Sequence, residues 1–404
     1  MKTAFFVDGN PNNPGAYNQI INSVKSIGNH LDIDKQDIVF IASNEHIVQK
    51  LTEFGFNSII YKKNFFDKLC DYIFDFNFFY KSFIKLNLKH SFSKFLTKKK
   101  IDLIIFLSPS ELALFCDEIN FVINIWDLDH KKNSIYPEHK KNFTYEKREE
   151  FLNNILFKAY RVIVAHQKNK NDLIDFYKCE EEKIIIQDFI PDLPNIKSEE
   201  LEFFNNQEKE YIENFPLNKK VIIYPATFWP HKNHKYIIDA AILLKKEKNF
   251  NYHFVMCGSD RGTFSYIKQM INENNINENV KIFPLVSNLF LKKLYEKCFA
   301  VIMPTDAGPT NLPLYESMYF KKPIFYSKNM SIDKEINQII FPINTDEPNE
   351  FLNMLKNLKQ EDITKKTKLG HEYYIKNCNK ENFYNMYRNI IINFKKKITQ
   401  WKKL

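Results

Sequence analysis

Glycine is scarce in this chain, at 8 of 404 residues. Neither G-x-G-x-x-G nor G-x-x-x-x-G-K-[ST] occurs, so a dinucleotide oxidoreductase and a P-loop nucleotidase lose their main support. The 6 cysteines (70, 116, 179, 257, 298 and 378) are scattered, and none forms a C-x-x-C pair. That argues against a disulfide framework and a structural zinc site, and fits a reducing cytoplasm. No apolar run approaches the roughly 18 residues needed to cross a bilayer. No secretory signal is expected either, because the first apolar run, 4–7, is only a strand long and turns at once into Asp8-Gly9-Asn10.

What the chain does have is bulk, charge and aromatic rings. It is 44% hydrophobic and 26% charged, enough to bury a sizeable interior and too much for wholesale disorder. Its length exceeds what one core usually holds, so two domains are expected. The net charge of +9 is unevenly spread: residues 60–100 carry 10 Lys, 3 Asp and no Glu, together with 12 aromatic residues. The tail 391–404 adds 5 Lys, no acid and Trp401. Lysines mixed with rings suit an anionic membrane surface, while a solvated face on an amphipathic helix remains the plainer reading. Nucleic acid is not expected as a partner, because the basic excess is almost entirely Lys and base readout favours Arg.

Short apolar runs alternate with amphipathic stretches twice over. Candidate strands are 4–7, 38–42, 58–61, 103–107, 121–125 and 162–164 in the first half. In the second they are 221–224, 254–257, 280–283, 300–303 and 324–326. Helical patterns cover 16–27, 45–54, 147–159, 235–246, 264–274, 289–298 and 312–319. Apolar strands joined by helices imply α/β architecture with parallel sheets covered on both faces. Prolines 191, 194 and 216 bracket a linker with a connecting helix. In such sheets ligands bind beyond the carboxyl ends of the strands.

Two corners in the second half carry the densest chemistry. The first is Pro225-Ala226-Thr227-Phe228-Trp229-Pro230-His231-Lys232-Asn233-His234, where Lys232 stands between a strand and a helix, within reach of a phosphate. The second runs Asp306-Ala307-Gly308-Pro309-Thr310-Asn311-Leu312-Pro313-Leu314-Tyr315-Glu316. There Thr310 or Asn311 can cap a helix whose free backbone N–H groups and positive dipole end suit a diphosphate. Glu316, one turn in, can accept hydrogen bonds from a ribose diol; an acid favoured by the helix dipole alone is the plainer alternative. In the first half, Asp127 and His130 of Asn124-Ile125-Trp126-Asp127-Leu128-Asp129-His130 lie just past a strand end. Asp127 either positions substrate or caps the turn. The Asp127-Leu128-Asp129 pair is not read as a metal site, so no metal cofactor is expected.

These two corners, with Cys257-Gly258-Ser259 between them, resemble the donor-binding domain of family 4 glycosyltransferases (retaining, GT-B fold). They are most similar to a bacterial subgroup marked by F-W-P-H-K-N-H and G-P-T-N-x-P. The resemblance is specific over most of 216–345 and weaker over 1–190. It implies two Rossmann-like domains facing across a cleft, at 1–200 (acceptor) and 217–385 (nucleotide-sugar), with a basic helix 386–404 crossing back to the first. It implies that Lys232 contacts the donor diphosphate, with Asp127 and His130 as the other catalytic candidates. Donor binding falls to Gly15, Thr227, Gly258, Pro309, Thr310, Asn311, Leu312 and Glu316. Two positions depart from the family: Gly308 stands where a Glu is usual, and Thr227 where an Arg is.

The function implied is sugar transfer, with retention, from a nucleotide-diphosphate donor to a hydroxyl of a growing surface glycan on a lipid carrier. The enzyme would sit at the inner face of the cytoplasmic membrane, held through 60–100. The alternatives are a catalytically inactive basic protein that binds membrane or nucleic acid, and a nucleotide-sugar epimerase on the same fold.

Overall fold

A computed structural model describes residues 1–11, 14–28, 37–65, 67–68, 85–86, 89–191, 204–247, 251–308, 312–330 and 333–401. The chain divides into two compact units. One comprises Met1–Ile135, His139–Asp188 and Lys380–Leu404; the other comprises Tyr136–Glu138 and Phe189–Asn379.

The first unit is built on seven strands: β1 (Thr3–Val7), β2 (Ile38–Ala42), β3 (Ser58–Ile60), β4 (Leu103–Phe106), β5 (Asn120–Asn124), β6 (Arg161–Val164) and β7 (Ile184–Ile186). All pair in parallel, in the order β3-β2-β1-β4-β5-β6-β7. β1 and β4 are buried along their whole length, as continuous apolar sequence in a doubly covered sheet demands. Helix starts are marked by side chains that satisfy orphan N–H groups. Asn44, for example, accepts from the Ile47 N–H at 3.0 Å ahead of the helix Glu45–Glu53. The last helix, Lys380–Ile398, packs in this unit: Tyr387 meets Phe5 edge-on at 5.7 Å, and Asn124 Nδ2 reaches the Tyr387 hydroxyl at 3.4 Å.

The second unit has six parallel strands: β8 (Lys220–Pro225), β9 (Tyr252–Cys257), β10 (Val280–Phe283), β11 (Ala300–Met303), β12 (Ile324–Ser327) and β13 (Phe341–Ile343). Their order is β10-β9-β8-β11-β12-β13. In both sheets the first strand of the unit lies beside the fourth, so strand order reverses there. That reversal opens the ligand crevice of doubly wound sheets. Two strands escaped the sequence patterns, β7 and β13, each three residues long and at a sheet edge. Pro342 in β13 is tolerated because an edge strand has one side free of ladder hydrogen bonds. The expected helix 147–159 begins and ends earlier, at Thr144–Ile155, after Phe143 takes a left-handed φ of 58°.

Candidate active site

The two corners singled out in the sequence leave adjacent strands. β8 and β11 pair directly, and the loops that follow are hydrogen-bonded to each other: the Asp306 N–H donates to the His231 carbonyl at 2.9 Å. The Tyr224 hydroxyl, from β8, donates to the Lys232 carbonyl at 2.9 Å. Asn233 takes a left-handed φ of 51°, and its side chain accepts from the Tyr236 N–H to start the helix His234–Lys245. The backbone that carries Lys232 is therefore tied on both sides. Thr227 is half-buried in the same loop.

The loop after β9 closes on this corner. The Phe228 N–H donates to the Ser259 carbonyl at 2.9 Å, and Thr263 Oγ1 donates to the Phe228 carbonyl at 2.7 Å. Gly258 makes that approach possible, because a Cβ there would lie 2.2 Å from the Ala226 carbonyl oxygen and 2.7 Å from the Thr227 nitrogen. Its placement thus answers to backbone packing. His234, the last residue of the F-W-P-H-K-N-H run, stacks on Phe228 at 4.2 Å and sits 3.2 Å from the Ala226 carbonyl through Nε2. Burial drives its pKa down to about 3, so it stays a neutral, structural imidazole.

Glu316 lies on the helix Leu312–Tyr319 with 7% of its surface exposed. Burial pushes its pKa up to about 7, against the pull of the Tyr295 hydroxyl, which donates to Oε2 at 2.8 Å. Leu312 opens that helix, and Gly308 holds a left-handed φ of 79°. Pro309, Thr310 and Asn311 lie outside the described residues.

Three residues of the second unit were given no individual role from the sequence. Arg261, in the loop after β9, places its guanidinium 5.8 Å from the centre of the Trp229 ring. Tyr136 and Glu138, early in sequence, pack with this unit: the Tyr136 hydroxyl donates to Asp306 Oδ2 at 2.9 Å, and the Glu138 carboxylate pairs with His231 Nδ1. Thr345 Oγ1 donates to the other Asp306 oxygen at 3.0 Å. No local pattern announces such partners, which are more than a hundred residues apart for Tyr136 and Asp306.

In the first unit, cavities open past the carboxyl ends of β1, β2, β4 and β5. One, of about 410 Å³, is lined by Ile125, Trp126, Phe151 and Leu152 with Glu111 and Arg148 among its polar walls. Another, of about 650 Å³, shares Pro109, Ser110 and Glu111 with it and adds Asp8, Asn44, Lys62, Lys63 and Lys68. Asp127 lines the first cavity but is engaged: Arg148 Nη2 donates to Oδ1 at 2.7 Å and to the Asp127 carbonyl at 2.8 Å. Burial opposes ionisation there, yet the guanidinium keeps the carboxyl below its usual range. Oδ1 also accepts from the Asp129 N–H at 3.1 Å, the turn-capping role.

His130, a catalytic candidate in the sequence for its place just past a strand end, is turned inward in the structure. Its side chain is fully buried, with Nε2 2.9 Å from Glu149 Oε1, and Glu149 also takes Lys131 and the Tyr177 hydroxyl. Burial, aided by Arg148, brings the His130 pKa down to about 4. The imidazole follows the apolar interior because the half-buried Glu149 supplies a partner there. Gly15 lies in the first turn of the helix Pro14–Gly28, with no heavy atom within 4 Å of where a Cβ would stand. Of the basic stretch, 66, 69–84 and 87–88 lie outside the described residues. Lys98, Lys99 and Lys100 are exposed at and after the end of the helix Ser91–Lys98.

Two parallel doubly wound sheets, one per unit, make this an α/β protein of the GT-B fold. The family described as "Glycosyl transferases group 1" matches residues 205–347, a stretch within the second unit. HepE of Anabaena, solved with UDP-glucose, superposes with a TM-score of 0.68 at 14% identity, over 97% of this chain and 100% of HepE. A glycosyltransferase of Rickettsia africae superposes at 0.65 with 15% identity, over 96% and 97%. In sequence, the O-antigen chain mannosyltransferase RfbU of Salmonella typhimurium is 24% identical over 178 residues, 43% of this chain. The chain spans about half the length of that curated relative, 49%. Among the described residues, no helix is long and apolar enough to cross a membrane.

Proposed function

We propose that this protein transfers a hexosyl or deoxyhexosyl group, with retention, from a nucleotide-diphosphate donor to a hydroxyl of a growing surface glycan. The observation that carries the reading is the hydrogen-bonded meeting of the β8 and β11 corners at the point of strand reversal, with Lys232 on one and the helix of Glu316 on the other. A diphosphate leaving group gathers charge as the glycosidic bond breaks. Lys232, the start of the helix Leu312–Tyr319 and the nearby Arg261 supply positive potential for it. Arg261 compensates for the Thr227 that stands where related sequences have Arg. Glu316 accepts the ribose hydroxyls. The similarity to HepE, solved with UDP and with UDP-glucose, makes uridine donors the first to try. The reading needs no metal.

The acceptor enters the cavities of the first unit, where Trp126 offers an apolar face and Glu111 and Asp127 polar edges. With Asp127 bound to Arg148 and His130 turned inward, neither serves as a free base. The acceptor proton then passes to the departing phosphate, as front-face attack requires. The resemblance to RfbU favours a surface polysaccharide as acceptor, on the cytoplasmic side of the membrane.

The test is release of nucleotide from UDP-, GDP- and dTDP-sugars, with and without glycan acceptors. Wild type should turn over one donor class. Lys232→Ala should slow turnover by about a hundredfold to a thousandfold, the usual loss on removing one group that stabilises developing charge. Glu316→Ala should mainly raise KM. No turnover with any donor, or unchanged rates in both variants, would refute the reading. Membrane attachment is tested separately. Replacing Lys98, Lys99 and Lys100 by Glu should release the protein from anionic vesicles in sedimentation, and unchanged pelleting would sink it.

A further inference from the structure

The last helix, Lys380–Ile398, contains four asparagines: Asn382, Asn385, Asn389 and Asn393. Asparagine is a weak helix former, because its amide competes for backbone hydrogen bonds. Nothing about stability calls for four of them in one helix. Their spacing of three and four residues nevertheless sets them along one face. All four line a single cleft of about 380 Å³ in the first unit, opposite Tyr160 and Arg161. That volume lies within the ~300–1,000 Å³ common for ligand sites, and from Asn382 to Asn393 the helix rises about 16 Å.

The opposite wall shows a deficit. The Tyr160 hydroxyl is enclosed from solvent and has no hydrogen-bond partner among the described residues. Buried hydroxyls are nearly always satisfied. The Tyr160 ring is held in place, edge-on to Phe394 at 5.0 Å and with the Arg161 guanidinium 4.5 Å from its centre. Facing that fixed ring, the half-buried amide of Asn385 and the exposed amides of Asn389 and Asn393 form a surface that both donates and accepts at short intervals. Each amide offers two donors and one acceptor oxygen. That pattern matches the vicinal hydroxyls of a sugar chain. It is poorly matched to an apolar peptide face, which would leave the amides unpaired.

We propose that this cleft binds an oligosaccharide segment of the glycan, a holding site separate from the cavities at the strand ends. The inference rests on the glycosyltransferase reading for its choice of ligand, and the experiment separates the two. The intact protein is applied to a printed array of neutral and uronate-containing bacterial oligosaccharides, and UDP binding is measured alongside by calorimetry. Wild type should bind oligosaccharides of several residues more tightly than monosaccharides. The double variant Asn385→Ala, Asn389→Ala should bind them at least tenfold more weakly, with UDP affinity unchanged. Alanine is the better helix former, so the helix is retained, and a circular dichroism melt checks it. If wild type binds UDP but no arrayed oligosaccharide, or if the double variant binds oligosaccharides as wild type does, the cleft is not a glycan site. Absence of UDP binding would instead strike at the donor site.

Discussion

The strand-end regions of the two units are made from the same topology and are finished in opposite ways. After β8, β9 and β11 the loops are stitched together through backbone: His231 to Asp306, Phe228 to Ser259, and Gly258 pressed against Ala226. After β1, β2, β4 and β5 the loops leave open cavities walled by side chains, and two charge pairs there are matched, Asp127 with Arg148 and Lys62 with Glu45. A corner fixed through main-chain bonds suits a ligand part that never varies, such as a diphosphate. A cavity fixed by side chains can change with sequence while the sheet stays the same, which suits an acceptor.

The sharpest way to break this contrast is a pair of glycine substitutions. Gly258→Ala forces a Cβ against backbone at 2.2 Å, and overpacking of this kind costs about 1–3 kcal/mol. We expect a clear drop in melting temperature and loss of nucleotide binding. Gly15→Ala meets open space and should leave the melt unchanged. Equal melting curves for the two variants would mean that the second unit's corner is not the rigid one.

A smaller effect comes from pH. The Glu316 carboxyl is raised from 4.5 to about 7 by burial. In that window the folded chain holds a proton the unfolded chain has lost, so this group's contribution to stability falls as pH rises. Ribose hydroxyls donate best to the ionised form. Nucleotide affinity should therefore be higher at pH 8 than at pH 6, by up to about tenfold per pH unit below 7. Titration of the nucleotide's own phosphate is common to wild type and Glu316→Gln, so the ratio of their affinities isolates the carboxyl. A ratio flat across pH would remove Glu316 from the ribose.

The smallest effect is expected in the first unit. Asp127→Asn keeps the turn but weakens the bond to Arg148, whose partly exposed pairing is worth about 1 kcal/mol. Stability should fall by that amount in urea unfolding, with turnover slowed far less than in Lys232→Ala. Turnover as slow as in the Lys232 variant would restore Asp127 as a catalytic group.

Much of the fold was legible because its signals are local. Short continuous apolar runs such as Ala4–Val7 and Ala300–Met303, bounded by turn chemistry, read as buried strands, and the structure bears them out. The short edge strands β7 and β13 were not legible, since three residues carry no period. The site divides the same way. Lys232 and Glu316 stood out by their position at strand-to-helix corners. His130 was misjudged because its inward turn depends on Glu149 and Tyr177, on two other helices.

The sequence by itself determined the element types, the two-sheet α/β class and the residues of the two corners, because hydrophobic period, turn chemistry and capping act within a few residues. Only the tertiary structure decided that β11 lies beside β8, that Gly258 admits a neighbouring backbone, and which charges are already matched. Strand order and long-range pairing depend on how buried surfaces and polar groups are satisfied together, and no stretch of chain carries that information alone.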